Sequence, residues 1–344
     1  MQYAFNLTTL SRCFAYSMVI ALLLYLINNY LVYWQGLPGP FNLMSHYQFA
    51  GLEPPYKPLD NNQLNQGWTQ LIAYLATLVI GLFYVLKTAS RTLHDEAYRF
   101  ATLTAYIIRM SFWSVVLVGF IDMLISFLRV EDLLEPLVGT ELTIQLGRPI
   151  FRGSYVHYPL ILLSFFMATI FRQISFCWLA LFVVLAEFSI VISRFVFSYE
   201  QAYMGDIVRF WYAALFLFAS AYTLVEEGHV RVDVVYAGMS RRTKAWTNSI
   251  GCLVLGMPIC WVILMHGMGG KGNSINSPLL SFEVSQSGYG MYVKYIMAGF
   301  LIVFAVSMLI QFVSYLLYNI SELHNPSDEE RVEYRQLVHS KRVV

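Results

Sequence analysis

Charge is scarce in this sequence. Asp, Glu, Lys and Arg make up only 12% of its 344 residues, against about 25% in a soluble globular domain. This scarcity excludes a water-soluble enzyme, and the 58% of hydrophobic residues excludes a disordered chain, which needs low hydrophobicity and high net charge. The 22 basic and 21 acidic residues nearly cancel, which argues against binding to nucleic acid. The composition predicts an integral membrane protein.

Cysteine is also scarce, and chemical motifs are lacking. The four cysteines lie in or beside apolar stretches, with no C-x-x-C and no Cys/His pair at zinc spacing, so we expect them to be small apolar packing residues. The glycine-rich stretch 267–274 does not fit the phosphate-binding pattern G-x-x-x-x-G-K-[ST]. No hydrolase constellation is visible either. We therefore predict no catalytic residue, no metal site and no cofactor.

Long apolar runs are abundant. A membrane-spanning helix needs about 20 mostly apolar residues. Eight segments qualify or nearly qualify, and they predict an all-α integral membrane protein with about eight transmembrane helices: 14–34, 68–86, 101–128, 157–171, 174–197, 207–225, 247–266 and 292–318. The fourth segment is short, so a tilted or half-spanning helix stays open. The first run lacks a small-residue cleavage site and predicts a retained helix, not a signal peptide.

The Lys and Arg residues predict the orientation. With the N-terminus in the cytoplasm, most of them fall in cytoplasmic segments, which places both termini there. The outer loop 129–156 then carries Arg129, Arg148 and Arg152, and its alternation of acidic and apolar residues predicts a short surface helix.

Charged residues within the apolar segments are candidates for function, because the bilayer makes them costly. Arg109 and Asp122 lie thirteen positions apart on the third segment, which separates them by roughly 220° around a helix and prevents a direct pair. Each must face a neighbouring helix, a cavity or a lipid headgroup. A structural contact and a role in a transport path both stay open.

The fifth and sixth segments carry further charges. Glu187 and Arg194 lie seven positions apart on one face, roughly 10 Å along the axis, and we expect a partner helix to satisfy both. Asp206 and Arg209 open the sixth segment with the spacing of an i,i+3 pair at the membrane surface.

The segment after the sixth span is the most distinctive. Gly228 ends the span, and valines then alternate with Arg231 and Asp233 before a basic cluster at 241–244. This pattern predicts an amphipathic helix in the cytoplasmic interface, with basic groups facing lipid phosphates. His229 could carry a proton or bind a ligand, but a hydrogen-bonded structural histidine is the more ordinary interpretation.

Three of these features occur together in one family. An Arg-aromatic-Val-Phe motif ends one span, an acidic residue opens the next, and a Gly-His-Val-Arg-Val-Asp motif follows that span. Here they are Arg194–Phe197, Asp206 and Gly228–Asp233, with 35 residues from Arg194 to His229. Residues 174–318 therefore resemble the small (DctQ-type) membrane subunit of tripartite ATP-independent periplasmic (TRAP) transporters, although Asp206 stands where that family usually has Glu.

The resemblance implies a division of the chain and a function. It implies a four-helix small-permease domain at 173–320, an extension of about four helices at 1–172 that it does not cover, and a cytoplasmic tail at 321–344. The chain would be a non-catalytic scaffold in the bacterial cytoplasmic (inner) membrane. It would brace a large DctM-type permease subunit, which uses the sodium gradient, and help to dock a periplasmic solute-binding protein. The residues implied at the subunit interface or in the family motif are Glu187, Arg194, Asp206, Arg209, His229, Arg231 and Asp233.

Two alternatives stay open. A membrane redox subunit would anchor haem or quinone, but among the histidines only His157 and His266 lie at span ends. A self-sufficient carrier would line its path with Arg109, Asp122 and Glu187. These charges lie on different faces and no internal repeat is visible, which weighs against a carrier.

Overall fold

A computed structural model describes residues 7–55, 57–172, 176–225, 234–285 and 290–324, without the side chains of residues 176, 222, 225 and 234. Within these ranges the regular structure is helical and no strand occurs. The helices are α1 (Leu7–Tyr33), α2 (Gly39–His46), α3 (Asn61–Lys87), α4 (Leu93–Val130), α5 (Leu134–Val138), α6 (Thr140–Leu146), α7 (Pro149–Arg152), α8 (Tyr158–Ile170), α9 (Phe176–Phe197), α10 (Ala202–Val225), α11 (Val234–Ala237), α12 (Arg241–Gly251), α13 (Met257–Met268), α14 (Asn276–Ser281) and α15 (Lys294–Leu323).

Eight helical stretches in the described ranges are long and apolar enough, by length and composition, to cross a membrane. They confirm the prediction of an all-α membrane protein with about eight spans. Six of them are the single helices α1, α3, α4, α9, α10 and α15. The other two are α7 with α8 and α12 with α13, each pair joined through a π-helical turn, at Gly153–His157 and Cys252–Gly256 respectively.

The fourth span is longer than its apolar run. It begins at Pro149 and has 22 residues, whereas the sequence indicated 157–171. Arg152 precedes the predicted run and His157 begins it, and both side chains are fully buried in the protein. A polar side chain that is satisfied inside the bundle does not end a spanning helix, so the apolar count underestimated its length.

Local sequence explains where the longest helix starts. Thr92 accepts a hydrogen bond from the backbone N–H of Asp95, and the Asp95 side chain accepts one from the N–H of Thr92, which forms a capping box. From there α4 continues for 38 residues, roughly 57 Å at 1.5 Å per residue. This length exceeds the hydrocarbon core of about 30 Å, so α4 can contact partners both within the membrane and beyond it.

Helices α4 and α15 form the centre of the bundle and run antiparallel. Ser314 of α15 donates to the carbonyl of Ala97 near the start of α4, while Tyr292, just before α15, contacts Asp122 towards the end of α4. Helices α8 and α10 pack on α4, and α1, α12 and α13 pack on α15. Helix α3 lies on α1, and α9 lies on α10.

Two apolar cores follow from this arrangement. One surrounds the C-terminal half of α15 with α1, the start of α4 and α13, and it includes the buried Cys252 and Cys260. The other surrounds α10 with the second half of α4 and the start of α15. Both cores combine helices from the predicted ranges 1–172 and 173–320, so the two ranges pack into one bundle.

The connecting segments are partly helical. The predicted surface helix in 129–156 corresponds to α5 and α6, whose side chains are mostly exposed. Residues 226–233, which carry most of the predicted interfacial helix, and residues 325–344 of the predicted tail lie outside the described residues. Residues 226–233 are followed by the one-turn α11 and then by α12. Ser240 caps α12, which contains the basic cluster.

Candidate functional sites: a buried carboxylate and an exposed one

Asp122 of α4 lies in a polar network that is sealed from solvent. Its Oδ1 lies 3.0 Å from Nη1 of Arg152 and 2.9 Å from Nε2 of His157. Its Oδ2 accepts a hydrogen bond of 2.8 Å from the backbone N–H of Tyr292. The side chains of Asp122, Arg152 and His157 have no exposed surface. The carboxylate therefore has three donors from two other parts of the chain.

Arg152 makes further contacts within the network. Its Nε donates to the carbonyl of Leu146 at 2.9 Å, and Nη1 also lies 3.1 Å from Oγ of Ser126. The guanidinium carbon lies 4.1 Å from the ring centroid of Tyr292, a cation–π contact. This set of contacts connects α4, the segment before α8 and the segment before α15.

His157 uses both ring nitrogens. Nε2 faces Asp122, and Nδ1 lies 2.8 Å from the hydroxyl of Tyr295, whose ring stacks on the imidazole. Neither nitrogen is available to bind haem iron in this arrangement, which weakens the redox alternative. No group of three or more His, Cys, Asp or Glu side chains that could hold a metal ion occurs among the described residues.

Gly153 allows the network to close. It lies in the π-helical turn before α8, and a Cβ built on it would stand 2.4 Å from the ring of Phe282 and 3.1 Å from the Tyr295 hydroxyl. Side chains larger than hydrogen do not fit there. The π turn and the glycine together bring α7–α8 against the start of α15, which places His157 on Asp122.

Asp206 holds the same segment of chain from the other side. Its Oδ2 accepts a hydrogen bond of 3.0 Å from the backbone N–H of Met291, and the carboxylate is largely buried. The predicted pair with Arg209 is present at 3.4 Å, although the Arg209 side chain is 74% exposed. Asp206 and Asp122 thus bind the adjacent amides of Met291 and Tyr292, and together they fix the N-terminal approach to α15 between α10 and α4.

A second link between residues 1–172 and residues 173–320 lies in the loops. The hydroxyl of Tyr199, in the loop between α9 and α10, donates to Oε1 of Glu131 after α4 at 2.5 Å. Burial, and then this hydrogen bond, raises the pKa of Tyr199 above its ordinary value. This contact adds to the polar links that join residues 1–172 to the helices that follow.

Helix α9 carries an acidic residue whose surroundings are opposite to those of Asp122. Glu187 lies near its middle and is exposed, and no described residue forms an ion pair or a hydrogen bond with it. Arg194 pairs only loosely with Glu200, at 3.4 Å, and both side chains are more than half exposed. The predicted partner helix for Glu187 and Arg194 is not found among the described helices of this chain.

The packing around α9 is also sparse. An apolar cavity of about 400 Å³ opens between α9, α4 and α10. Most large side chains of α9 are exposed: Trp178, Leu181, Val184, Leu185, Phe188, Val191, Ile192, Phe195, Val196 and Phe197. A spanning helix with this surface faces lipid or another protein along most of its length.

The remaining predicted residues divide into two groups. Arg109 is half-buried, lies away from the Asp122 network and, as expected from the helical spacing, does not pair with Asp122. His229, Arg231 and Asp233 lie outside the described residues.

Sequence reasoning missed the main partners of Asp122. The charge count assigned Arg152 to the outer loop, and this assignment is wrong because Arg152 is fully buried. His157 was considered only as a haem ligand. The available signal was weak: an Arg and a His five positions apart, directly before an apolar run. Tyr292 and Tyr295 carried no signal, since tyrosine is common throughout the chain.

The spans, their packing and the buried charges define a multi-pass, all-helical membrane protein. Residues 181–320 match the family model of the DctQ component of tripartite ATP-independent periplasmic transporters. This part of the chain is therefore similar to the DctQ component, in agreement with the motif resemblance, and additional membrane helices precede it. Searches of curated proteins and of solved structures found no match to the chain.

Proposed function

We propose that the chain is the small, non-catalytic membrane subunit of a TRAP transporter, and that it braces a large DctM-type permease subunit. The DctQ match supports the transporter class. The observation that carries the bracing role is α9, a spanning helix whose apolar side chains and central carboxylate face away from the rest of the chain.

The energetic argument concerns Glu187. A charged side chain at the centre of a spanning helix costs about 2.5–3.5 kcal/mol on insertion scales. Asp122 avoids such a cost through Arg152, His157 and Tyr292, whereas Glu187 has no partner among the described residues. A basic or hydrogen-bond-donating side chain on a spanning helix of another subunit would satisfy Glu187. The large subunit is the membrane partner with enough helices to supply it.

The remaining assignments follow from this role. The chain would lie in the bacterial inner membrane with both termini in the cytoplasm. It would have no cofactor of its own, since the large subunit would use the sodium gradient. The outer loops would help to dock the periplasmic solute-binding protein. In the family motif, Asp206 and Arg209 would hold the bundle together, and His229, Arg231 and Asp233 would support the cytoplasmic interface.

Co-purification tests the contact through α9. The chain and its large partner are expressed together, and the partner recovered with the chain is measured for Glu187→Leu and for Ser189→Ala. Ser189 is the matched control, because it is exposed on the same helix and its hydroxyl donates to the carbonyl of Leu185 within that helix. We expect recovery to fall about tenfold for Glu187→Leu and to stay unchanged for Ser189→Ala. Equal recovery for both variants would remove the argument from Glu187.

Reconstitution tests the scaffold role itself. Vesicles receive the large subunit and the binding protein, with or without this chain, under a sodium gradient. We expect solute uptake only when all three proteins are present. Full uptake without this chain would contradict the proposed function.

A further inference from the structure

Hydrogen-bond donors of three residues lie where α8 ends against α4. Arg109 and Trp113 are one turn apart on α4, and Arg172 comes just after α8. The ring of Phe171 lies 5.3 Å from that of Trp113, which places the end of α8 beside this turn of α4. Arg172 directly follows Phe171 in the chain, so the two arginines lie near the same turn of α4. We refer to Arg109, Trp113 and Arg172 as the α4–α8 cleft.

Two donors of this cleft lack acceptors among the described residues. Nε of Arg109 and Nε1 of Trp113 are both buried, and neither has a hydrogen-bond partner in the part of the chain that the structure describes. The described ion pairs include neither Arg109 nor Arg172. Two neighbouring cations repel each other, and a buried N–H without an acceptor is costly. An anion between them would relieve both effects.

The surroundings indicate what kind of anion reaches the cleft. Phe166 and Ile170 of α8 are 62% and 69% exposed, so the surface beside the two arginines is apolar. In the orientation proposed above, α8 runs from the outer side towards the cytoplasm, which places the cleft at the cytoplasmic leaflet. An anion with apolar chains fits such a surface better than a small soluble ion.

We propose that the α4–α8 cleft binds the phosphate group of an anionic phospholipid from the cytoplasmic leaflet. Planar guanidinium groups form strong, directed hydrogen bonds with phosphate oxygens, and the indole N–H of Trp113 adds one donor. Basic pockets between spanning helices on the cytoplasmic side bind lipid headgroups in this way. The cleft lies outside residues 181–320, so the proposal is independent of the transporter assignment.

A lipid titration tests the proposal. The full chain, in neutral detergent, is titrated with phosphatidylglycerol, and bound lipid is counted by native mass spectrometry. We expect the double variant Arg109→Gln/Arg172→Gln to weaken binding at least about tenfold. Trp113→Phe keeps the aromatic contact with Phe171 but removes the N–H, and we expect a smaller loss, about threefold.

Controls separate this site from general attraction of anionic lipid. Arg99→Gln removes an exposed arginine from the same helix, and we expect it to leave the affinity unchanged. An equal loss for Arg99→Gln and for the double variant would overturn the proposal, as would unchanged binding in the double variant. If the double variant fails to fold, the single variants Trp113→Phe and Arg172→Gln test the proposal instead. Unchanged lipid binding in both single variants would overturn the proposal.

Two other ligands are distinguished by further measurements. Millimolar inorganic phosphate should not displace phosphatidylglycerol; complete displacement would overturn the lipid assignment and indicate a site for soluble phosphate. Loss of the large subunit from the double variant, with lipid binding unchanged, would also overturn it, because the arginines would then face a carboxylate of another protein.

Discussion

Asp122 and Glu187 are both acidic residues within spanning helices, and their surroundings differ in every respect. Asp122 has no exposed surface and accepts hydrogen bonds from Arg152, His157 and the amide of Tyr292. Glu187 is exposed on α9 and has no partner among the described residues. The polar groups around Asp122 come from the chain itself, whereas the described residues supply none to Glu187.

This difference separates residues that hold the fold from residues that, under the proposed function, connect it to a partner. Removing one member of a buried, satisfied pair leaves its partner charged and unpaired, which destabilises the fold itself. Removing an exposed charge from a helix that faces lipid leaves the isolated chain as stable as before or more so. Stability and association should therefore respond in opposite ways at the two sites.

The largest effect is expected at Asp122. Asp122→Asn leaves the guanidinium of Arg152 fully buried without a counter-charge, and we expect a loss of about 3–5 kcal/mol in the free energy of unfolding. The thermal unfolding midpoint of the purified chain in detergent measures this loss. Asp132→Asn is the matched control, because Asp132 is exposed and its backbone has a φ of 53°, which Asn accepts. Similar midpoints for both variants would remove the contrast between Asp122 and Glu187.

An intermediate effect is expected at Gly153. Gly153→Ala places a Cβ 2.4 Å from the ring of Phe282 and forces α8 away from the start of α15. We expect a loss of about 1–3 kcal/mol, typical of an overpacked core, in the same unfolding measurement. Gly251→Ala is the control, since nothing lies within 4 Å of a Cβ there. Because Gly251 lies in a helix, we expect Gly251→Ala to leave the free energy of unfolding unchanged or to raise it slightly. A loss at Gly251 equal to that at Gly153 would show that close packing around His157 is not the cause.

The smallest effect on stability is expected at Arg194. Its pair with Glu200 is exposed on both sides, and such pairs contribute about 0.2–1 kcal/mol. We expect Arg194→Ala to shift the unfolding midpoint of the isolated chain little, while recovery of the co-expressed large subunit falls. Glu200→Gln breaks the same pair and serves as the control for stability. A shift as large as that of Asp122→Asn would mean that α9 is held within the chain by its charges.

The helices were predictable to a large extent, and the neighbours of their polar residues were not. Segment 101–128 lies within α4, and the motif at Arg194–Phe197 coincides with the end of α9. The fourth span was predicted at 157–171 and begins at Pro149, because Arg152, which precedes the apolar run, is buried inside the bundle. Asp206 was expected at a membrane surface with Arg209, but it also binds the amide of Met291 about 85 positions away. No local pattern encodes a contact of that kind.

By itself, the sequence determined that this protein is a bundle of about eight membrane helices and that its second half is similar to the DctQ component. It did so because a bilayer requires about 20 apolar residues for each span and because the motif residues recur at a set interval. Only the tertiary structure decided which intramembrane charges are satisfied. That depends on which helices become neighbours, and at Asp122 it depends on a π turn and a glycine that bring Arg152 and His157 to one carboxylate. At Glu187 no described residue of the bundle supplies a partner, and this is the carboxylate that the proposed function pairs with another protein.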